Sequence, residues 1–310
     1  MWIINNRKIF YTISGALVIA SLVFMFTWKL LPGLDFTGGT LIEVTYPAES
    51  RPVQADVAAA LSPIDPAVSV RPSGETGYII RMKAVDQEEK AAVLTAVGVG
   101  SAGVGGSAST TLAAFDSVGP ILGSEALRKA YVSILLVILG IVLYITLAFR
   151  KVSEPVSSWK YGLIAVVSLV HDVIIPIGAF SVLGHLYGYE VDTLFVTALL
   201  VVIGFSVHNI IVVFDRVREN LHLSGGKGGS DAFAETVGKS VSQTFTRSMN
   251  TSATVVIALI VLYVLGGAAT HHFILALIIG IVAGTFSSVF IASPLLVTIE
   301  KWGRKGKGGK

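Results

Sequence analysis

Ala130–Phe149 reads AYVSILLVILGIVLYITLAF, and its twenty residues carry no charge. A helix that packs on a soluble core keeps one polar face, whereas this stretch is apolar all round. It is also long enough to cross a hydrocarbon core of about 30 Å, which takes about 20 helical residues. Five further stretches repeat the pattern: Ile9–Leu31, Tyr161–Leu183, Leu194–Phe214, Arg247–Leu265 and Phe273–Ile299. The chain therefore reads as an α-helical polytopic membrane protein with six spans. Hydrophobic residues make up 53% and charged residues 14% of it. A soluble domain carries about 25% charged residues.

The first stretch follows Arg7 and Lys8 as a signal peptide would, but it runs into Trp28, Lys29 and Pro32 without a small-residue cleavage site, so an uncleaved anchor is expected. Lys and Arg in the short loops set orientation. They cluster at Arg7 and Lys8, at Arg150, Lys151 and Lys160, at Arg216, Arg218, Lys227 and Lys239, and at Lys301, Arg304, Lys305, Lys307 and Lys310. The loops around His185–Glu190 and Gly266–His272 have none. The alternation predicts cytoplasmic termini and an external segment between the first two spans. The expected organisation is a first span over 1–31, an extracytoplasmic domain over 32–129, a five-helix bundle over 130–299 and a basic tail over 300–310.

The external segment has its own pattern. Thr40–Tyr46, Ala67–Arg71, Tyr78–Lys83 and Ser109–Phe115 read as strands. Pro52–Leu61 reads as a helix opened by proline, and Asp86 with Glu89 reads as a capping box for a helix reaching Val97. Gly98–Gly106 reads as a loop. The order β-α-β-β-α-β predicts an α+β ferredoxin-like domain.

Chemistry is narrowed by what is missing. The sequence has no cysteine, hence no disulfide or thiolate site. It has no phosphate loop, H-E-x-x-H or G-x-S-x-G, and no basic face with aromatics for nucleic acid. His271 and His272 are adjacent and point to different sides of a helix, which disfavours a metal. No enzyme activity and no cofactor are expected. Attention shifts to polar residues inside the spans, each of which costs about 2.5–3.5 kcal/mol to insert when ionisable. His171 and Asp172 interrupt the third span and His208 and Asn209 the fourth, and each pair is either helix–helix glue or part of an ion path. Arg247 belongs to a fifth span whose purely apolar part, Ala253–Leu265, is too short, so the helix must recruit Thr246–Ser252. Arg247 then either snorkels or meets a buried partner. Asp215 and Arg216, with Arg218 and Glu219, read as a solvated cluster at the cytoplasmic edge. Gly280, Gly284, Ser288 and Ala292 form a small-residue packing stripe.

Several of these stretches resemble the SecD/SecF family, accessory membrane proteins of bacterial protein export. Asp35, Phe36, Gly38 and Gly39 match its D-F-x-G-G junction motif, Val118-Gly119-Pro120 its V-G-P, and His171-Asp172-Val173 its H-D-V. Val212–Asn220 is similar to the SecF-type V-F-D-R-I-R-E-N run, and Thr246–Ser252 and Ser287–Pro294 match the last two spans. The short external segment favours the SecF side. The resemblance implies one half of a twelve-span RND-type unit made with a SecD-type subunit in the bacterial inner membrane. Such a unit works with the SecY translocon (SecYEG) and uses the proton-motive force to draw unfolded preproteins outward, the external domain meeting the substrate. It also implies a proton path using a carboxylate in the fourth span and an arginine in the fifth, with a further carboxylate on SecD. Here the carboxylate position holds Asn209, which cannot exchange a proton near neutral pH. His208 titrates in range but points about 100° away on the helix. Three explanations stand: a variant using His208 or Asp172, a path resting on the SecD carboxylate alone, or a residue changed to trap one state. Two other functions stay open, a non-conducting scaffold for the translocon and an RND-type small-molecule or lipid exporter.

Overall fold

The computed structural model describes residues 1–100, 110–148, 157–223, 230–267 and 270–305. Most of the predicted loop over 98–106, and Arg150, Lys151, Lys227, Lys307 and Lys310, lie outside the described residues. In chain order the elements are α1 (Trp2–Asn5), α2 (Arg7–Thr27), α3 (Leu34–Thr37), β1 (Gly39–Thr45), α4 (Gln54–Leu61), β2 (Ser69–Ser73), β3 (Gly77–Met82), α5 (Gln87–Ala96) and β4 (Thr111–Val118). Then follow α6 (Pro120–Ala148), α7 (Ser158–Tyr187), α8 (Thr193–Leu223), α9 (Ser230–Leu265), α10 (His271–Ser287) and α11 (Ser293–Lys305). Six stretches, with α10 and α11 counted as one, are long and apolar enough to cross a membrane. The chain divides into two compact units, Pro32–Tyr131 and the remainder.

In the first unit the strands lie in the order β2-β3-β1-β4, all antiparallel, as a ferredoxin-like sandwich requires. Alternation along β1 buries Ile42 and Val44 with Ile80 and Met82 of β3 and with Val57, Leu61 and Val93 of the two helices. Asp86 opens α5 as expected: its carboxylate accepts from the Glu88 and Glu89 amides, and Glu89 returns a bond to the Asp86 amide. The helix at Pro52 begins later than its proline suggests. Val53 is the cap and Gln54 the first helical residue, because Pro52 stays outside the helix with its carbonyl held by the Tyr78 hydroxyl at 2.8 Å.

The glycine pair of the junction motif has a geometric reason. Gly38 (φ +69°) and Gly39 (φ +117°) have backbones that disfavour a side chain. A Cβ at Gly38 would lie 2.8 Å from the Pro120 Cα, and one at Gly39 2.9 Å from the Met82 carbonyl oxygen. Gly123 completes the contact, since a Cβ there would meet the Phe36 carbonyl at 3.0 Å. The Asp35–Phe36 turn and the start of α6 thus touch backbone to backbone.

In the second unit the helices run past the apolar stretches. The fourth reaches Leu223, so Asp215 and Arg216 stand on a continuing helix. The fifth is unbroken from Ser230 and carries Arg247 well inside it, consistent with recruitment of Thr246–Ser252. The sixth is not one α-helix: a π-helical turn, Ser288–Ala292, separates α10 from α11. Pro294 cannot donate to the Phe290 carbonyl, so the ladder breaks there, and the Ser293 hydroxyl bonds the Ser288 carbonyl at 3.1 Å. Pro176 does the same inside α7, removing the amide that would reach the Asp172 carbonyl.

Candidate functional site

The second unit holds a polar cluster in its interior. Asp172 and Ser168 of α7 are fully buried, and His171 is nearly so. Asp172 Oδ2 accepts from the Ser287 hydroxyl of α10 at 2.8 Å and from the Ser206 hydroxyl of α8. His171 Nδ1 lies 2.8 Å from Asp172 Oδ1. Three donors on three helices therefore converge on one carboxyl group, as charge burial demands. The small-residue stripe makes room for it. A Cβ at Gly284 would sit 3.2 Å from the Ser206 Cβ and 3.4 Å from Asp172 Oδ2, while one at Gly280 would overlap Val202 at 2.3 Å. Ser288 is buried too and bonds the Thr285 carbonyl at 3.0 Å.

The two neighbours on α8 part company. Asn209 is only 2% exposed and faces inward on the same side as Ser206, whereas His208 is exposed. Arg247 is exposed as well, so Asn209 and Arg247 are not brought together within this chain. Arg247, Asn250, Thr251 and Thr254 are all exposed at spacings of three and four, which puts them on one face of α9. Gly204 and His208, four apart, share an exposed face of α8. Ser248 and Ser252 point the other way, into the bundle, where Thr285 lies 2.7 Å from the Ser252 hydroxyl.

The charge cluster after the fourth span does more than face water. Asp215 is exposed, but Arg216 reaches across to α9, its Nε donating to Gln243 Oε1 at 2.7 Å while the guanidinium pairs with Glu219. Asn220 joins the same clasp, donating to Ser240 Oγ at 2.8 Å and to Gln243 Oε1 at 2.9 Å. Sequence reading missed Gln243 and Ser240 and met Asn220 only as the end of a motif, because single amides and hydroxyls on a long helix carry no signal until the partner helix is known. It missed Asp65 for the same reason: this buried carboxylate in the first unit accepts from the Ala67 amide at 2.9 Å and the Lys83 amide at 2.7 Å. Among the described residues no group of acidic or histidine side chains is arranged to hold a metal.

Comparison with known proteins identifies the family. Residues 102–302 match the family "Protein export membrane protein SecD/SecF, C-terminal", and residues 30–46 match the SecD/SecF GG motif. The chain is 39% identical to the protein translocase subunit SecF of Thermobaculum terrenum, over 96% of this chain and 93% of that one. It is 34% identical to the SecF subunit of Anaerolinea thermophila, over 98% and 97%. A crystal structure of SecDF, a translocon-associated membrane protein from Thermus thermophilus, superposes with a TM-score of 0.76 at 26% identity. The match covers 96% of this chain and 38% of that longer one. A second SecDF structure, in a super-membrane-facing form, shares the fold at 24% identity with a TM-score of 0.67.

Proposed function

This chain belongs to the SecD/SecF protein-export family, on the SecF side, and from that premise we propose that it assists Sec-dependent translocation as the partner of a SecD-type subunit. The supporting observation is the polar stripe Arg247, Asn250, Thr251 and Thr254 on α9, exposed where that candidate span runs into its apolar part, Ala253–Leu265. An arginine and an amide left facing hydrocarbon would cost several kcal/mol, on the order of the insertion penalties for such groups. A second protein half lying over the stripe removes that cost. His208 is exposed on neighbouring α8 and is the titratable group of the fourth span available to such an interface.

On this reading the complex sits in the bacterial inner membrane, with both termini cytoplasmic and the ferredoxin-like unit outside. It acts with SecYEG on unfolded preproteins, and protons driven by the proton-motive force pass between the halves by way of Arg247. Because Asn209 is buried and cannot ionise, His208 carries the proton on this side. A second reading has a specific observation in its favour: with an amide at 209, the chain is a non-conducting scaffold.

The test is proton flux in proteoliposomes that hold this chain with a SecD-type partner, alongside preprotein export. Flux in the native pair that falls on His208→Ala or Arg247→Ala supports the motor. Flux that appears only on Asn209→Asp supports the scaffold. Failure of the chain to associate with any SecD-type partner overturns both.

A further inference from the structure

The interior cluster is separate from the outward stripe. Among the described residues of this unit, the buried Ser168 Oγ and His171 Nε2 on α7, Asn209 Nδ2 on α8 and Ser248 Oγ on α9 have no hydrogen-bond partner. Native interiors leave very few such atoms. Ser168 and His171 are one turn apart, as are Ser206 and Asn209. Unsatisfied groups of this kind mark places where water is held.

Asp172 anchors that set, and His171 fixes how a proton could reach it. With Asp172 ionised and the ring neutral, Nδ1–H donates to Oδ1 and Nε2 is a bare acceptor with nothing to bind. We propose that Asp172 is a proton-binding carboxyl inside this chain's own bundle, loaded through His171, and that its charge state sets the π turn at Ser288–Ala292.

A proton delivered by water to Nε2 makes an imidazolium. The Nδ1 proton then passes to Oδ1 of Asp172. What remains is a neutral ring with hydrogen on Nε2 and a neutral carboxylic acid, so one proton is taken up and one negative charge is lost. Release reverses the steps.

The consequence falls on α10. Ser287, the last residue before the π turn, donates to Asp172 Oδ2, and a hydrogen bond to a charged acceptor is about twice as strong as one to a neutral group. Neutralising Asp172 loosens Ser287 and lets the wide turn relax. Phe286 and Phe290, on either side of Ser288, both contact Phe10 of α2, so the change is felt there. Pro176 keeps the Asp172 carbonyl out of the α7 ladder at the same place.

No other titratable side chain bonds Asp172 among the described residues. The helices packed on α7 carry their charges elsewhere. Arg7, Lys8 and Tyr11 open α2, and His271 and His272 open α10. On α8, His208 and Asp215 are exposed, and Arg216, Arg218, Glu219 and His222 lie near its end. Glu300 and Lys301 lie on α11, and α7 itself has Lys160 and His185 near its ends.

The experiment uses the intact chain alone in lipid nanodiscs, so its outcome does not depend on export or on a SecD-type partner. Infrared difference spectra are recorded across about pH 4–9, the range over which perturbed carboxyl and imidazole groups titrate. The expected result is a protonated-carboxyl band that grows as pH falls and is missing in Asp172→Asn. Amide hydrogen exchange over 287–292 should accelerate with the same midpoint. Ser287→Ala removes a donor to the ionised form, so it should raise proton affinity about tenfold, and it keeps the proposal testable if Asp172→Asn fails to fold. An unchanged band in Asp172→Asn, or a Ser287→Ala midpoint equal to the native one, overturns the proposal.

Discussion

Single residues differ in how much of their role the sequence discloses. The D-F-T-G-G run is recognisable as a junction, but its reason lies in two positive φ angles and a backbone approach to Pro120. Gly38→Ala should therefore destabilise the first unit by about 1–3 kcal/mol, the usual scale for a non-glycine residue in a strained region. Thermal unfolding of the intact chain followed by protease sensitivity of 32–131 would register it. Tyr46 was legible only as a strand residue. It is 2% exposed, and its hydroxyl donates to the Val97 carbonyl at 2.9 Å. Burial, with Tyr78 adding to it, pushes the phenol up to about 12. The folded state holds the proton more tightly than the unfolded one, so this contribution is complete below the unfolded value of 10 and is lost as pH rises toward 12. Alkaline denaturation should begin above about pH 10, and Tyr46→Phe should flatten that part of the stability profile. The placement of Asn209 and His208 about 100° apart around α8 follows from helix geometry and could be read in advance. Which of them faced inward could not, because both flanks of the span are equally apolar.

Elements were easier to find than to bound. Five of the six apolar stretches correspond to one helix each and the sixth to α10, the π turn and α11 together, yet hydropathy gives the part that suits lipid rather than the part that is helical. The fourth and fifth helices continue through charged residues because they hold one another by Arg216, Asn220, Ser240 and Gln243. Asn220→Ala should leave the Ser240 hydroxyl without its donor and Gln243 Oε1 with Arg216 alone, and so loosen the ends of both helices. Hydrogen exchange should rise over 216–223 and 236–243 while the interior segments of α8 stay protected. Asp86→Ala should cost about 1 kcal/mol through the loss of the α5 cap, measurable as a lower unfolding midpoint. The π turn escaped the sequence altogether: Pro294 was visible, but a proline near a span end is compatible with a stop, a kink or a wide turn.

At the scale of the whole molecule, the sequence motifs located the family while the structure divided its polar residues into two sets. One faces inward around Asp172 and the other outward along α9. The outward set makes a definite demand. Arg247→Leu with Asn250→Leu should let the chain stand alone in membranes with less self-association, and should weaken capture of a SecD-type partner at least tenfold, read by co-purification at fixed detergent. A chain whose stripe simply tolerates lipid would show no change in either.

Where glycine meets a neighbouring helix, the bundle has no slack. A Cβ at Gly178 would fall 2.3 Å from Ser21, and the contact of Gly280 with Val202 is as close. Helices α2, α7, α8 and α10 are keyed together by these notches, whereas most of the span-crossing part of α6 and the apolar end of α9 lie exposed on the chain. In mechanical terms the four keyed helices resist sliding past one another, so a working stroke within this chain falls to the π turn that follows α10 and to the two outlying helices. Cross-links between positions 21 and 178 should leave any transport cycle running, and cross-links that tether α6 should stop it.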